Sequence, residues 1–294
     1  MKVQHLIVML VLNVFWAATM SANKALGHYL QPGGITTLRF GLAALCLLAL
    51  WPWLPGKAPR GRDLWISVLI GLLVFVLGQR LQVLGNELGK AGDSAVLMAL
   101  EPLMTTVAAA IFLREHVGPR RVLGFGAGMI GVLLLNRVWR PEFHWTGLGS
   151  SLIFVSSFLC ETAYSILGKP VIERAGLMKV LALALVGGTV ANLLIDGPKT
   201  LEVARALPAE CWLLLAYLAV ICTAVGYGLW YVVIKEAEVN VVAMTIFVQP
   251  VAGVAMAAAW LGEPLHWGQL WGSLTIAAGL VFGLSRQIKR EPNA

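Results

Sequence analysis

Charge is scarce in this sequence. Asp, Glu, Lys and Arg make up 13% of its 294 residues, against roughly 25% in soluble domains. Hydrophobic residues reach 59% and the mean hydropathy is +0.80. A chain of this size cannot cover so apolar a composition with polar surface, so lipid must be its solvent. Cysteine is rare too. Cys46, Cys160, Cys211 and Cys222 fall inside or at the edge of apolar stretches, and none pairs at metal-ligand spacing. They read as buried thiols packed like small hydrophobes, and no metal or cofactor is expected. The five histidines (His5, His28, His116, His144, His266) avoid the middle of the apolar stretches. There is no HExxH and no GxSxG, so nothing supports a membrane-embedded enzyme, and no catalytic residue is assigned. The phosphate-binding pattern GxxxxGK[ST] is missing as well, so ATP is not the evident energy source.

What the chain does have is long apolar runs. Crossing a bilayer as helix takes about 20 apolar residues. Ten segments meet this requirement: 5–25, 34–54, 64–86, 92–113, 120–138, 147–168, 178–196, 211–234, 240–261 and 266–285. The first is long enough to span and lacks a cleavage site before a polar mature protein, so it reads as a retained helix rather than a signal peptide.

The net charge of +7 does not point to nucleic acid, because the basic residues sort by membrane side instead of forming one patch. With the N-terminus inside, fourteen Lys and Arg fall on the cytoplasmic side: Lys2, Lys57, Arg60, Arg62, Arg114, Arg120, Arg121, Lys169, Arg174, Lys179, Lys235, Arg286, Lys289 and Arg290. Five (Lys90, Arg137, Arg140, Lys199, Arg205) fall outside, and Lys24, Arg39 and Arg80 lie within segments. The positive-inside rule then places both termini in the cytoplasm.

The chain also repeats itself. Glu101-Pro102 is followed by Glu115, and Gln249-Pro250 by Glu263, each thirteen residues after its proline. The two prolines are 148 residues apart, and at that offset the forty pairs from Ala95/Ala243 to Leu134/Phe282 hold eight identities without a gap. Leu113 matches Leu261, Gly124 matches Gly272 and Gly131 matches Gly279. A fixed period marks a duplicated unit. The predicted halves are residues 1–146 and 147–294, five helices each. Five is odd, so the second half enters the membrane from the opposite side. The loop charges agree: Arg114, Arg120 and Arg121 are replaced by Gly262, Gly268 and Gln269. The expected fold is an all-α polytopic membrane protein of ten transmembrane helices in two inverted five-helix repeats. Such repeats supply two related conformations, with substrate bound near the midplane.

Polar groups inside a membrane usually face a bundle interior or a wet cavity. Asn13, Trp16 and Asn23 share one face of the first segment. Gln79, Gln82 and Asn86 share a face of the third, and Glu101 and Thr105 lie one turn apart on the fourth. The sixth carries Glu161, Tyr164 and Ser165; the eighth Tyr227, Trp230 and Tyr231; the ninth Thr245 and Gln249. The 148-residue offset pairs Asn13 with Glu161, Trp16 with Tyr164, Gln79 with Tyr227, Gln82 with Trp230 and Glu101 with Gln249. These matched faces predict a central substrate cavity. Hydrogen bonding between helices is the alternative role for any one of them.

Glu101 beside Pro102 reads as a mid-membrane carboxyl at a helix break, able to carry a proton or bind a substrate amine. Its alternative role is a static partner of Arg80 or Arg39. Arg80 in turn has Glu101, Glu161 or a substrate carboxylate as possible partners. Lys24 and Arg39 read as interfacial anchors. Trp51, Trp53, Trp65, Trp139, Trp145, Trp212 and Trp267 suit the interface, and Trp16 and Trp230 lie deeper. Trp260 and Trp271 fit either place. The small residues Gly124, Gly126, Gly128 and Gly131 predict close packing of the fifth helix on the tenth, or a homodimer seam.

The Glu101-Pro102…Glu115 block, its echo at Gln249-Pro250…Glu263 and the five-plus-five plan resemble the EamA-type transporters of the drug/metabolite transporter superfamily. The resemblance covers nearly the whole chain. It implies a substrate cavity built by the first, third, fourth, sixth, eighth and ninth helices, and export or exchange of small metabolites such as amino acids. A glutamate before the first proline is missing from many such transporters, so a coupling role for Glu101 does not follow from the resemblance. The resulting expectation is a secondary transporter of the bacterial inner membrane, monomer or homodimer, with protons as a possible partner. A multidrug exporter, a membrane enzyme and a non-transporting receptor are the competing readings.

Overall fold

The computed structural model describes residues 2–88, 96–140, 147–261 and 266–285. Glu263, the tail 286–294, and the side chains of Lys24, Asn86, Trp145 and Trp260 lie outside the described residues. Among the described residues every extended element is helical. Eight helices are long and apolar enough to cross a membrane: α1 (Val3–Asn23), α2 (Pro32–Ala49), α3 (Arg62–Gly85), α6 (Leu148–Ile172), α7 (Leu177–Ala204), α8 (Ala209–Glu236), α9 (Val239–Met256) and α10 (Trp267–Leu284). The shorter α4 (Leu100–Phe112) and α5 (Pro119–Leu135) complete the chain order. The ten apolar segments of the sequence thus each correspond to a helix, and the chain is an all-α polytopic membrane protein.

Local sequence explains several helix starts. Pro32 and Pro119 occupy the first turn of α2 and α5, where a missing N–H costs nothing. His266 caps α10. Its Nδ1 accepts from the Gln269 N–H, and the Gln269 side chain accepts from the His266 N–H, each at 3.0 Å. Pro102 follows the same logic, and the expected helix break lies just before it. The chain turns at Met98–Ala99, and α4 begins at Leu100, so Glu101 and Pro102 lie in its first turn. The Met98 carbonyl, which Pro102 cannot engage, accepts the Glu101 N–H at 3.2 Å.

The helices form two compact units. One comprises Met1–Ala18, Gly85–Phe158 and Glu236–Ala294. Its core joins Phe125, Val132 and Leu135 of α5 to Val241, Met244 and Phe247 of α9 and Ile276 and Leu284 of α10. Within it, α5 and α10 meet backbone to backbone. A Cβ on Gly131 would sit 2.7 Å from the Gly272 carbonyl, and one on Gly272 would sit 2.6 Å from the Gly131 carbonyl. Gly124 and Gly279 repeat the arrangement at 2.9 Å in both directions. The second unit comprises Thr19–Leu84 and Leu159–Lys235. There α3 and α7 approach through Gly71 and Gly188, where a Cβ on Gly188 would lie 2.9 Å from the Gly71 carbonyl.

Outward faces are apolar, as a lipid solvent requires: Leu194, Leu148 and Leu213 are among the most exposed side chains. Trp53, Trp65, Trp139 and Trp267 are exposed near helix ends, and Trp271 is also outward. Cys160, Cys211 and Cys222 are buried free thiols, and Cys46 is half-buried.

Candidate functional site

In the second unit the polar groups of α3, α6 and α8 converge on Glu161. Three consecutive contacts on α6 follow from helical spacing, since Glu161, Tyr164 and Ser165 lie at i, i+3 and i+4. Tyr227, Trp230 and Tyr231 have the same spacing on α8. Gln79 of α3 donates to Glu161 Oε1 at 2.6 Å, and the Tyr227 hydroxyl donates to Oε2 at 3.3 Å. Both donors are neutral, and the Arg39 guanidinium acts on the carboxylate only through space. The half-buried Glu161 and Tyr227 are backed by an aromatic wall. Tyr164 and Tyr231 stack with centroids 4.0 Å apart, and Tyr227 stands edge-on to Tyr164 at 4.9 Å. Phe75 closes the wall, edge-on to Tyr227 at 5.2 Å. Gly168 admits Tyr231 to α6: a Cβ there would fall 2.6 Å from the ring.

The wall is hydrogen-bonded throughout. Tyr164 donates to the Tyr227 carbonyl at 2.9 Å, Tyr231 to the Tyr164 carbonyl at 3.3 Å, and Trp230 Nε1 to Ser165 Oγ at 2.9 Å. Tyr164, Trp230 and Tyr231 are buried, with their polar atoms used to join α6 and α8. Gln79 is buried as well, and Gln82 is half-buried one turn further along α3.

The first unit holds Asn13 and Trp16, the positions matched to Glu161 and Tyr164, and the Glu101/Gln249 pair. Asn13 is fully buried; it donates to the Met9 carbonyl at 2.8 Å and to Thr245 Oγ1 at 3.1 Å. Its Oδ1 accepts from Gln249 Nε2 at 2.9 Å. Asn13 and Glu161 are repeat partners, and each accepts a side-chain amide. The donors are not matched, however: Gln249 comes from α9 and Gln79 from α3. Thr105 is buried, and Trp16 and Glu101 are half-buried.

The intramembrane cations differ from the sequence reading. Arg80 forms an ion pair with Asp196, not with Glu101 or Glu161, and Asn192 Oδ1 accepts from its Nε and Nη2 at 3.1 and 2.9 Å. Asn192 and Asp196 lie one turn apart on α7, a spacing in an apolar run that marks a polar face without naming Arg80 as its partner. Arg39 is not an interfacial anchor. It is 5% exposed, donates to Thr223 Oγ1 at 2.9 Å, and holds its guanidinium 5.1 Å from the Phe40 ring centre.

Glu115, the end of the duplicated block, acts on a helix terminus. Its carboxylate accepts the N–H groups of Val239 and Asn240 at 2.8 and 3.0 Å, and Asn240 Nδ2 at 2.7 Å. The first N–H groups of α9 lack helical partners, and a negative charge suits a helix N-terminus. Arg121, buried, braces the same turn through Asn240 Oδ1, the His116 carbonyl at 2.7 Å and Glu238 at 2.6 Å.

A helical membrane fold with a duplicated, proline-marked block and matched polar positions is compared most directly with transporters. The EamA-like transporter family model matches residues 4–137 and again 148–284. The chain belongs to the EamA-like transporter family. An uncharacterized transporter of Bacillus subtilis, YyaM, is 25% identical over 280 residues, covering 94% of this chain and 92% of its own. A probable terminal-alkyne amino-acid exporter of Streptantibioticus cattleyicolor is 24% identical, covering 94% and 93%. A probable amino-acid metabolite efflux pump of Escherichia coli is 26% identical, covering 94% of each. A protein of known crystal structure aligns over 97% of this chain and 99% of its own, with a TM-score of 0.77 at 14% identity, which is a likeness of fold. The family and the names of these relatives describe transporters, not enzymes. This EamA family member is accordingly a multi-pass membrane transporter of small molecules.

Proposed function

We propose that this transporter exports small amino-acid-like metabolites across the bacterial inner membrane by alternating access, and that Glu161 recognises the substrate amine. The observation that carries the reading is the state of the Glu161 carboxylate. It is half-buried, and the two groups that bind it, Gln79 and Tyr227, are neutral. A carboxylate in an apolar surround that is bound only by neutral groups, with the one acting cation, Arg39, held on Thr223 and reaching it only through space, attracts a further cation, whether a substrate ammonium or a proton. The Tyr227 and Tyr164 rings beside it offer rigid apolar area to a side chain. The names of the Streptantibioticus and Escherichia relatives favour an amino-acid or amino-acid-derived substrate. In the second unit Gln82 is proposed to touch substrate beside Glu161, with Gln79, Tyr164, Trp230 and Tyr231 holding that surface from behind. In the first unit Trp16, Glu101 and Gln249 are proposed as substrate contacts in at least one state of the cycle, with Asn13 and Thr105 behind them. The alternating states are attributed to the two inverted halves, 1–146 and 147–294.

The test is counterflow in proteoliposomes with labelled phenylalanine, threonine, arginine and glutamate, and with a planar organic cation. Glu161→Gln is expected to lower uptake of amine-bearing probes at least about tenfold, the scale of one charge-assisted hydrogen bond, while the protein still reaches the membrane. Undiminished amino-acid counterflow in this variant would remove Glu161 from recognition. Counterflow of the organic cation alone would replace the amino-acid reading with a multidrug one.

A further inference from the structure

The two helices that supply Glu161 with donors share a distortion. α3 runs as a π-helix over Leu73–Gly78, and α8 over Tyr217–Val225. The Gln79 N–H bonds to the Val74 carbonyl, five residues back, and the Gly226 N–H to the Ile221 carbonyl, also five back. The 148-residue offset carries 73–77 onto 221–225, so the two π stretches overlap in register, the first ending next to Gln79 and the second two residues before Tyr227. Well under 1% of residues in globular proteins are π-helical, and π turns concentrate at functional sites. Two of them at matched positions, both ending at or just before a ligand of one carboxylate, form a single arrangement.

A π turn holds one residue more than an α turn, and one residue corresponds to about 100° of helix rotation. Whether the turn is π or α therefore decides which way Gln79 and Tyr227 face from the first half of their own helix. The wide turn also leaves carbonyls to be satisfied. Asn192 Nδ2 donates to the Phe75 carbonyl at 2.9 Å, and Thr223 Oγ1 to the Leu218 carbonyl at 2.8 Å. Each pin is held by an arginine in turn, Asn192 by Arg80 and Thr223 by Arg39. Asn192 and Thr223 are both fully buried.

We infer that Asn192 and Thr223 are positioning residues for the Glu161 site, pinning two matched π turns whose register sets Gln79 and Tyr227 on the carboxylate. Release of a pin lets its turn revert to α register, rotates the donor off Glu161 and bares one oxygen. The functional meaning rests on the proposed role of Glu161 in substrate recognition; the geometry of the pins does not.

The experiment reads Glu161 directly. Difference infrared spectra are recorded on purified protein in lipid nanodiscs during a pH titration, and the Glu161 band is the one missing from Glu161→Gln. Asn192→Asp keeps an acceptor for Arg80 but loses the donor to Phe75. It is expected to shift the band as Gln79→Leu does. Thr223→Val, nearly the same size, is expected to shift it as Tyr227→Phe does, and Thr223→Ser to restore the wild-type position. Asp196→Asn breaks the ion pair without touching the Phe75 carbonyl and is expected to leave the band in place. Wild-type bands in both Asn192→Asp and Thr223→Val overturn the inference. If Asn192→Asp does not reach the membrane, the Thr223 pair decides alone. Normal transport by Glu161→Gln would refute the recognition role while leaving this band test intact.

Discussion

Asp196, Glu115 and Glu161 have their charge met in three ways, and the difference separates structure from function. Asp196 is neutralised by the Arg80 guanidinium. Glu115 is consumed by three N–H donors at the start of α9. Glu161 has donors but neither of them is charged. Burying a charge is costly unless it is paired, so the first two are at rest and the third is open to a cation. Glu115 carries a prediction of its own. Glu115→Ala strips the acceptor from two backbone N–H groups that have no helical partner, and leaves Arg121 with less counter-charge nearby. A lost cap costs about 1 kcal/mol, and charge-assisted bonds raise that to about 2–3 kcal/mol. Thermal unfolding in detergent is expected to show a clear fall in Tm for Glu115→Ala and a smaller fall for Glu115→Gln, which keeps one oxygen acceptor. Equal melting of both variants and the wild type would mean the cap does not stabilise α9.

At the scale of elements, the small residues of α5 set how close α10 comes. Gly131→Ala would place a methyl carbon 2.7 Å from the Gly272 carbonyl, too near for any backbone to ignore. Gly126→Ala on the same helix meets nothing within 4 Å. The first is expected to destabilise by about 1–3 kcal/mol, the range for overpacking. The second is expected to be neutral or stabilising by up to about 1 kcal/mol, because alanine is the better helix former. Melting temperatures of the two variants, measured side by side, check the contrast. This packing was legible in the sequence, because the glycine spacing recurs at Gly124/Gly272 and Gly131/Gly279. The ten helices were legible too, since apolar run length is all a lipid-facing helix needs. The π turns were not. Leu73–Gly78 is apolar like the stretch before it, and hydropathy does not distinguish five-residue from four-residue bonding. Nor was the Arg80–Asp196 pair, which joins residues 116 positions apart, or the burial of Arg39, whose place near a helix end suggested an anchor. Contacts of that range are decided by how helices pack, and no periodicity in a single segment records them.

At the scale of the molecule, the compact units do not follow the two sequence halves. α4 and α5 share a unit with α9 and α10, and α2 and α3 share one with α7 and α8. The 148-residue offset relates α4 and α5 to α9 and α10, and α2 and α3 to α7 and α8, so each unit contains both members of these repeat pairs, while α1 and α6 are each divided between the units. Duplicated helices pack with their own counterparts, as the glycine contacts of α5 and α10 illustrate, which is why sequence halves and packing units divide the chain differently. An even number of helices would put both ends of the chain on one side, and the fourteen-to-five distribution of Lys and Arg leads us to propose the cytoplasm. Accessibility of single cysteines tests this, in a background where the four native cysteines are replaced. Arg205 lies in the short link between α7 and α8, and Ser285 is the exposed residue just beyond α10. On intact cells a membrane-impermeant maleimide is expected to label Arg205→Cys and to reach Ser285→Cys only after lysis. Labelling in the opposite pattern would invert the orientation, and with it the side toward which an exporter releases its substrate.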